Sequence, residues 1–454
     1  MLKTLLYNPD SSTLFRHLAQ LPWAAFLDSG FPHGQLGRFD ILTAYPHTTL
    51  ITHGLTTEIK TADKIQLSTE NPLDLLRAQL NLNKAKHTIS NLPFCGGAIG
   101  YFAYDLARRF EILPTISLQD INVPEMAVGI YDWAIIVDHL KKETVLFQLN
   151  NHAETADICD EIITRLNQAL NSTDDLTVKL QSNIQSNFTE KTYAAAFARI
   201  QEYLRAGDCY QINLAQRFSA DIEGSPWQLY QQLRKYNPAP YSAFFNTPNV
   251  AILSLSPERF LQVRNNFVET KPIKGTQPRN HDSEQDQKNA ALLLNSIKDR
   301  AENIMIVDLL RNDIGKNCRI GSVQVPKLCA LESFPAVHHL VSTVTGELAA
   351  NKDCIDLLQG CFPGGSITGA PKLRAMEIIE ELEPHRRNVY CGSVGYINYN
   401  GNMDTNIAIR TLMLAQEKIH FYAGGGITID SILDDEYAET FAKIKIILQF
   451  FKTL

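Results

Sequence analysis

Ile297-Lys298-Asp299-Arg300-Ala301-Glu302-Asn303-Ile304-Met305-Ile306-Val307 is the stretch on which the fold class turns. It belongs to a longer run, 282–311, that opens on the acids Asp282, Glu284 and Asp286. Ala291, Leu294, Ile297, Ala301, Ile304 and Val307 then follow three or four apart, the period of a helix with one apolar face. Working outward, strands are expected at 339–346, at 391–399 and at Lys418–Ala423, the last running into Gly424-Gly425-Gly426. A final helix is expected from Asp434 onward, with Tyr437, Phe441, Ile444, Leu448 and Phe451 on its apolar side. Toward the amino terminus the runs are short and β-type, such as Thr48–Thr52 and Trp133–Val137, with Gly/Pro punctuation at Phe94–Gly100. Long helices and strands mix without regular alternation, which predicts an α+β (mixed α/β) architecture with large sheets, not a doubly wound fold.

The polar stretch Leu170–Asn187, rich in Asn, Gln, Ser, Thr and Asp, marks the best junction between an amino-terminal region, 1–150, and a carboxy-terminal region, 190–450. The chain has 454 residues, 42 basic and 49 acidic, for a formal net charge of −7. With no basic stripe or tail, a nucleic-acid partner is not expected, and an anionic substrate must be held by local charge. The eight cysteines form no CxxC pair, which points to reduced thiols and not to a zinc or disulfide framework. No signal-like stretch opens the chain, and no run approaches the roughly 18 apolar residues of a membrane span. A cytoplasmic enzyme with no membrane contact is expected.

Three constellations carry chemistry. Asp299 and Glu302 lie three apart, as do Glu436 and Glu439, so each pair projects from one helical face, and Lys443 joins the second face four residues on. A single such pair is usually solvated surface, but Glu302 precedes an apolar run, and carboxylates among apolar residues need a partner. Oxygen ligands in small number suit a Mg²⁺ that keeps waters and binds a substrate's own acid group. Glycine-rich backbone recurs at Phe362–Lys372 and Gly424–Gly426; neither has phosphate-loop or dinucleotide spacing, and both suit N–H groups presented to a carboxylate, at a turn or a helix N-terminus. Finally, Lys271-Pro272-Ile273-Lys274-Gly275-Thr276 and Ser256-Pro257-Glu258-Arg259-Phe260 place Lys274 and Glu258 where they face each other if their strands are neighbours.

Taken together with Val307–Asp313, Val337–Ser342, Ile409-Arg410-Thr411, Gly424–Ile427 and Asp435–Thr440, these motifs resemble, in order across about 195–446, the chorismate-utilising family. That family includes component I of anthranilate synthase and of aminodeoxychorismate synthase, isochorismate synthase and salicylate synthase. The resemblance implies the anthranilate synthase component I-like fold: a large antiparallel-rich β-sandwich flanked by helices, with the active site in a cleft between subdomains. It implies that Glu302 and Glu439 ligate Mg²⁺, supported by Asp299 and Glu436. Arg410, Lys443 and the Gly425 and Gly426 amides would hold substrate carboxylates, with Thr276 and His339 near the ring.

Two positions discriminate within the family. Gln211 stands where water-using members carry an activating lysine, which favours ammonia as nucleophile. Lys274 stands where anthranilate and isochorismate synthases carry alanine, and the aminodeoxychorismate branch resembles this sequence in Pro-Ile-Lys-Gly-Thr. The resemblance thus implies a covalent Lys274 intermediate with Glu258 as acid. Ammonia would come from glutamine through a separate amidotransferase subunit, in a heterodimer that feeds 4-aminobenzoate and folate synthesis. Burial beside Mg²⁺ is expected to lower the lysine's pKa. Anthranilate synthesis and a non-catalytic chorismate-binding subunit are the alternatives. Ser29, Leu36, Gly37, Arg38, Phe39, Pro240, Tyr241 and Ser242 resemble the family's tryptophan pocket, although Leu27-Asp28-Ser29 replaces the usual Leu-Glu-Ser, which argues for a structural or vestigial site over feedback inhibition.

Overall fold

The computed structural model describes residues 1–34, 37–82, 92–149, 152, 154–168, 178–280, 282–334 and 337–453. Among them, two antiparallel sheets of 13 and 12 strands hold most of the β-structure. Each sheet takes strands from both halves of the chain. The first runs from Leu2–Leu5 through Glu143–Gln148, Trp133–Asp138, Phe39–Thr43 and Ala25–Asp28 to Tyr241–Asn246, Ala251–Ser256, Thr411–Ala415, Lys418–Ile427 and Gln211–Glu223. The second runs from Ile273–Pro278 through Val337–Glu347, Phe267–Thr270, Arg259–Arg264, Met403–Asn406 and Ser393–Asn398 to Gly97–Phe102, Met126–Tyr131 and Thr48–His53. Asp132 alone separates Tyr131 of the second sheet from Trp133 of the first, so the chain crosses between sheets at that residue.

The sheets bury one face each against the other. Ile41, Phe245 and Ile252 of the first share a core with Tyr101, Leu261 and Val263 of the second. The rings of Tyr101 and Phe245 meet edge to face at 6.3 Å, a geometry the ring quadrupoles favour. Strands buried on both sides cannot alternate apolar and polar residues, which is why Met126–Tyr131 and Trp133–Asp138 read as continuous buried runs. The other face of the first sheet is covered by the helices Pro226–Tyr236 and Leu433–Phe451, through Trp227, Leu233, Ile444 and Phe450. Helices Glu190–Ala206 and Lys372–Leu382 close a third core over Ile212, Leu214 and Ile427.

The run 282–311 is two helices, Ser283–Asn295 and Ile297–Gly315, not one. Ser296 breaks it with extended backbone and caps the second helix, its hydroxyl accepting from the Asp299 N–H at 3.2 Å. The buried face also differs from the expected one: Ile297 and Ile304 are exposed, while Asn303, Ile306, Val307, Leu310 and Ile314 are buried. With extended backbone at Ser296 between them, the two helices are separate elements, and one apolar stripe does not run through both. The triple glycine belongs to the strand Lys418–Ile427, not to a turn or helix start. All eight cysteines are buried and free. No helix among the described residues is long and apolar enough to cross a membrane.

Candidate active site

Where the end of the first sheet meets the edge of the second, glycine backbone opens a cleft lined with charge. Gly425 and Gly426 pair with Leu214 and Asn213 in the first sheet. A side chain at either would collide with the cleft's polar groups. A Cβ on Gly426 would lie 1.8 Å from Gln211 Nε2 and 2.9 Å from Glu302 Oε1, and one on Gly425 would lie 3.0 Å from Glu436 Oε2 and 3.4 Å from Glu439 Oε1. The glycines therefore define the space on which Glu302, Glu436, Glu439 and Gln211 converge.

The second sheet supplies Lys274. In the edge strand Ile273–Pro278 the register slips between Lys274 and Thr276, and Gly275 takes a φ of 77° there. A Cβ on Gly275 would meet Leu293 and Asp299 at 2.8 and 3.0 Å, so both space and backbone demand glycine. The bulge aims Lys274 at Glu302, Nζ to Oε1 2.9 Å, and at the Ser366 carbonyl, 3.1 Å. Gln211 Nε2 donates to the same Glu302 oxygen at 2.5 Å. Burial alone pushes the Lys274 ammonium down, but Glu302, Glu258 and Glu439 outweigh it and hold the lysine above its ordinary value. The carboxylates expected to hold a cation stand beside the amine here. Glu302 responds in kind: burial raises it, Lys274 and Gln211 lower it further, and its pKa ends below the usual range.

Glu258 reaches the cleft by another route. It follows the strand Ala251–Ser256, and its strand neighbours are not those of Lys274, since two strands separate Arg259–Arg264 from Ile273–Pro278 in the sheet. Ser366 joins the two groups. Its hydroxyl donates to Glu258 Oε1 at 2.8 Å while its carbonyl accepts from Lys274. Arg259 turns away to Asp404 and Glu269. Burial lifts the Glu258 carboxyl to about 7, against the opposing pull of Ser366 and Lys274. Ser366 escaped sequence reasoning; its one signal was a hydroxyl directly after two glycines in Gly364-Gly365-Ser366.

Nearby, Thr276 Oγ1 and His339 Nδ1 lie 2.9 Å apart on paired residues of neighbouring strands. Burial, aided by the charge of Arg410, lowers His339 to about 4, so the imidazole is neutral at pH 7. Arg410 sits at a φ of 50°, a conformation unfavourable for a long side chain and one that accumulates at functional sites. It has no carboxylate partner among the described residues, and burial alone lowers its pKa. On the last helix, Lys443 pairs with Glu439 at 2.6 Å and donates to the Gly424 carbonyl at 2.8 Å. Buried Glu436 takes the Ser431 hydroxyl at 2.6 Å on Oε1, while its Oε2 has no hydrogen-bond partner. Burial and neighbouring Glu439 raise its pKa. Glu302, Glu436 and Glu439 are hard oxygen donors, and one of them has an oxygen to spare. That set suits a divalent cation such as Mg²⁺ that keeps several waters.

The second predicted pocket lies apart. A cavity of about 410 Å³ between the sheets is lined by Ser29, Gly37, Arg38, Phe39, Pro240, Tyr241 and Ser242, and shares no lining residue with the cleft. Leu36 lies outside the described residues. Asp28, also on its wall, is committed to Arg234 and Tyr230, at 2.7 and 2.8 Å. Arg38 is paired with Asp138 at 2.9 Å.

A buried acid beside a lysine, a neutral histidine and an unpaired arginine near a carboxylate set are the parts of an enzyme site. The chain belongs to the chorismate-binding enzyme family, whose model matches residues 37–449. It is 51% identical over 448 residues to aminodeoxychorismate synthase component 1 of Escherichia coli (strain K12), covering 98% of this chain and 97% of the relative. Anthranilate synthase component 1 of Thermus thermophilus is 36% identical over 449 residues, 98% of this chain and 96% of the relative. In three dimensions the chain is similar to the crystal structure of anthranilate synthase component I from Streptococcus pneumoniae TIGR4. The TM-score is 0.82 at 33% identity, with 90% of this chain and 92% of that one covered.

Proposed function

We propose that the chain aminates chorismate at ring C4 to give 4-amino-4-deoxychorismate, with Lys274 as a covalent nucleophile and Glu258 as general acid. The observation that carries this reading is the single residue Ser366, which holds the Glu258 carboxyl and the Lys274 amine on either side of it. The amine of Lys274 attacks C2, the ring double bonds shift, and the C4–O bond breaks as Glu258 gives its proton to the leaving hydroxyl. Ammonia then bonds to C4 and the C2–N bond breaks, so that one water leaves and one ammonia enters overall. A carboxyl at about 7 is half protonated near neutral pH, which suits an acid for this step.

Glu302 and Glu439 would hold Mg²⁺, with Asp299 and Glu436 supporting them through bound waters. The ion supplies electron withdrawal at the ring carboxylate. Its charge on Glu302 would also remove the partner that keeps Lys274 protonated, since a nearby cation disfavours the ammonium. Arg410, Lys443 and the Gly425 and Gly426 amides bind the substrate's carboxylates, and Thr276 with neutral His339 contacts the ring and its hydroxyl. Gln211, spent on Glu302, offers no free base for activating water, so ammonia is the nucleophile. A separate glutamine amidotransferase subunit delivers it. Tryptophan fits the 410 Å³ cavity by size and by the Phe39 and Tyr241 rings on its wall.

Mass spectrometry of the product formed from chorismate, ammonium and Mg²⁺ tests the assignment. An aminated product with its enolpyruvyl group intact is expected. Fluorescent anthranilate would move the chain to the other branch, and unconsumed chorismate would make it a binding subunit.

A further inference from the structure

We propose that His47, Asp132 and His152 form a binding site for a borderline divalent cation of the Zn²⁺ class, at the seam where the chain crosses between the two sheets. Asp132 is the crossing residue, its side chain 2% exposed. His47 precedes the strand Thr48–His53 of the second sheet, held by its N–H to the Ile130 carbonyl at 3.0 Å. His152 follows the strand Glu143–Gln148 of the first. One ligand atom from each residue lies within 4.8 Å of the other two. His152 Nδ1 is 2.7 Å from one Asp132 oxygen, and His47 Nε2 is 3.7 Å from the other.

Hydrogen bonding of the carboxylate does not require this arrangement. Tyr399 donates to Asp132 Oδ1 at 2.8 Å and His152 serves Oδ2, so each oxygen has its proton donor without His47. Yet His47 is brought in face to face with His152, ring centroids 4.0 Å apart. Its Nδ1 is anchored on Thr48 Oγ1 at 2.9 Å, and its Nε2 meets the Tyr399 hydroxyl at 3.1 Å with the carboxylate behind it at 3.7 Å, so a bound ion would take that nitrogen from the tyrosine. An outer hydrogen bond on one ring nitrogen is how metal-binding imidazoles are oriented. Two imidazole nitrogens and one carboxylate oxygen match Zn²⁺, Co²⁺ or Ni²⁺ and not Mg²⁺, with a water in the fourth position. His152 is 40% exposed, so its ring can swing to complete the shell, and it gives the ion a path in. An ion there clamps the second sheet's His47 to the first sheet's His152.

The test uses chelator-treated full-length protein, with saturating Mg²⁺ present so that the cleft carboxylates are occupied, titrated with Co²⁺. One equivalent should bind with visible ligand-field absorption and raise Tm. His47→Ala and His152→Ala should each weaken that binding at least tenfold and lose the absorption, while keeping the metal-free Tm and chorismate turnover. Glu302→Ala should keep both the absorption and the Tm rise. A wild-type protein with neither signal overturns the proposal. So does absorption that survives in both histidine variants, since the ion would then sit on the cleft acids or the buried thiols.

Discussion

Replacing Glu258 by glutamine isolates what it costs to hold a carboxyl in the floor of the cleft. Burial moves this group from 4.5 to about 7, whereas in the unfolded chain it titrates at its ordinary value. Between those values the folded protein keeps a proton that the unfolded chain has released. Stability therefore falls as pH rises through that window, and the whole penalty is present above about pH 7. At about 1.36 kcal/mol per pH unit, the 4.5-to-7 interval is worth about 3 kcal/mol. Glutamine has no proton to release and can still accept from the Ser366 hydroxyl, so the variant lacks this slope. Urea unfolding in chelator at pH values from about 5 to 8 should show Glu258→Gln gaining about 2–3 kcal/mol on the wild type as pH rises. Its turnover should fall by ~10²–10⁴, the usual worth of a general acid. Wild-type kcat should decline above about pH 7, as the acid loses its proton. A stability difference between the two proteins that does not change with pH would refute the burial argument.

Rapid quench of chorismate with enzyme and no ammonia should trap chorismate less water on the peptide containing Pro272–Arg279, and Lys274→Ala should lose both adduct and most of the rate. An unlabelled Lys274 together with an active alanine variant would reduce the lysine to a positioning role. Glu302→Ala or Glu439→Ala should abolish turnover without rescue by high Mg²⁺, checked by steady-state assay, because one fewer carboxylate leaves the ion poorly placed. Ser366→Ala should slow turnover and shift the alkaline limb of the pH profile upward, since the Ser366 hydroxyl holds Glu258 down; an unmoved profile would deny it that role. Tryptophan at about 100 times its Kd should stabilise the fold by about 2.7 kcal/mol, seen as a rise in Tm of a few degrees. Strong competitive inhibition would instead indicate feedback control.

What the sequence made legible follows the range over which its signals act. Period and punctuation are local, so the helix expected from Asp434 and the strands expected at 339–346 and 391–399 fell close to their observed places at Leu433–Phe451, Val337–Glu347 and Ser393–Asn398. The break at Ser296 was missed because a cap serine inside an apolar run looks like one more weak helix former until tertiary contacts decide the face. Gly424–Gly426 reads locally as a turn. It is a strand because it pairs with Gln211–Glu223, and it is glycine because Gln211, Glu302, Glu436 and Glu439, all from elsewhere in the chain, fill the space that side chains at Gly425 and Gly426 would need. Gln211 and Glu302 touch across 91 residues of chain, a contact no window of sequence contains. The same holds for charge. The acids were read as a cation site and the lysine as a neutral nucleophile, each sound by itself, but with Glu302 2.9 Å from Lys274 they stabilise each other's ionised forms. On the proposed reading, an ion held by Glu302 and Glu439 would take the carboxylate from the lysine and so tie amine activation to metal binding. Lys274 should then react with an amine-directed acylating reagent faster with Mg²⁺ than without, by peptide mass analysis, and equal rates would sever that link.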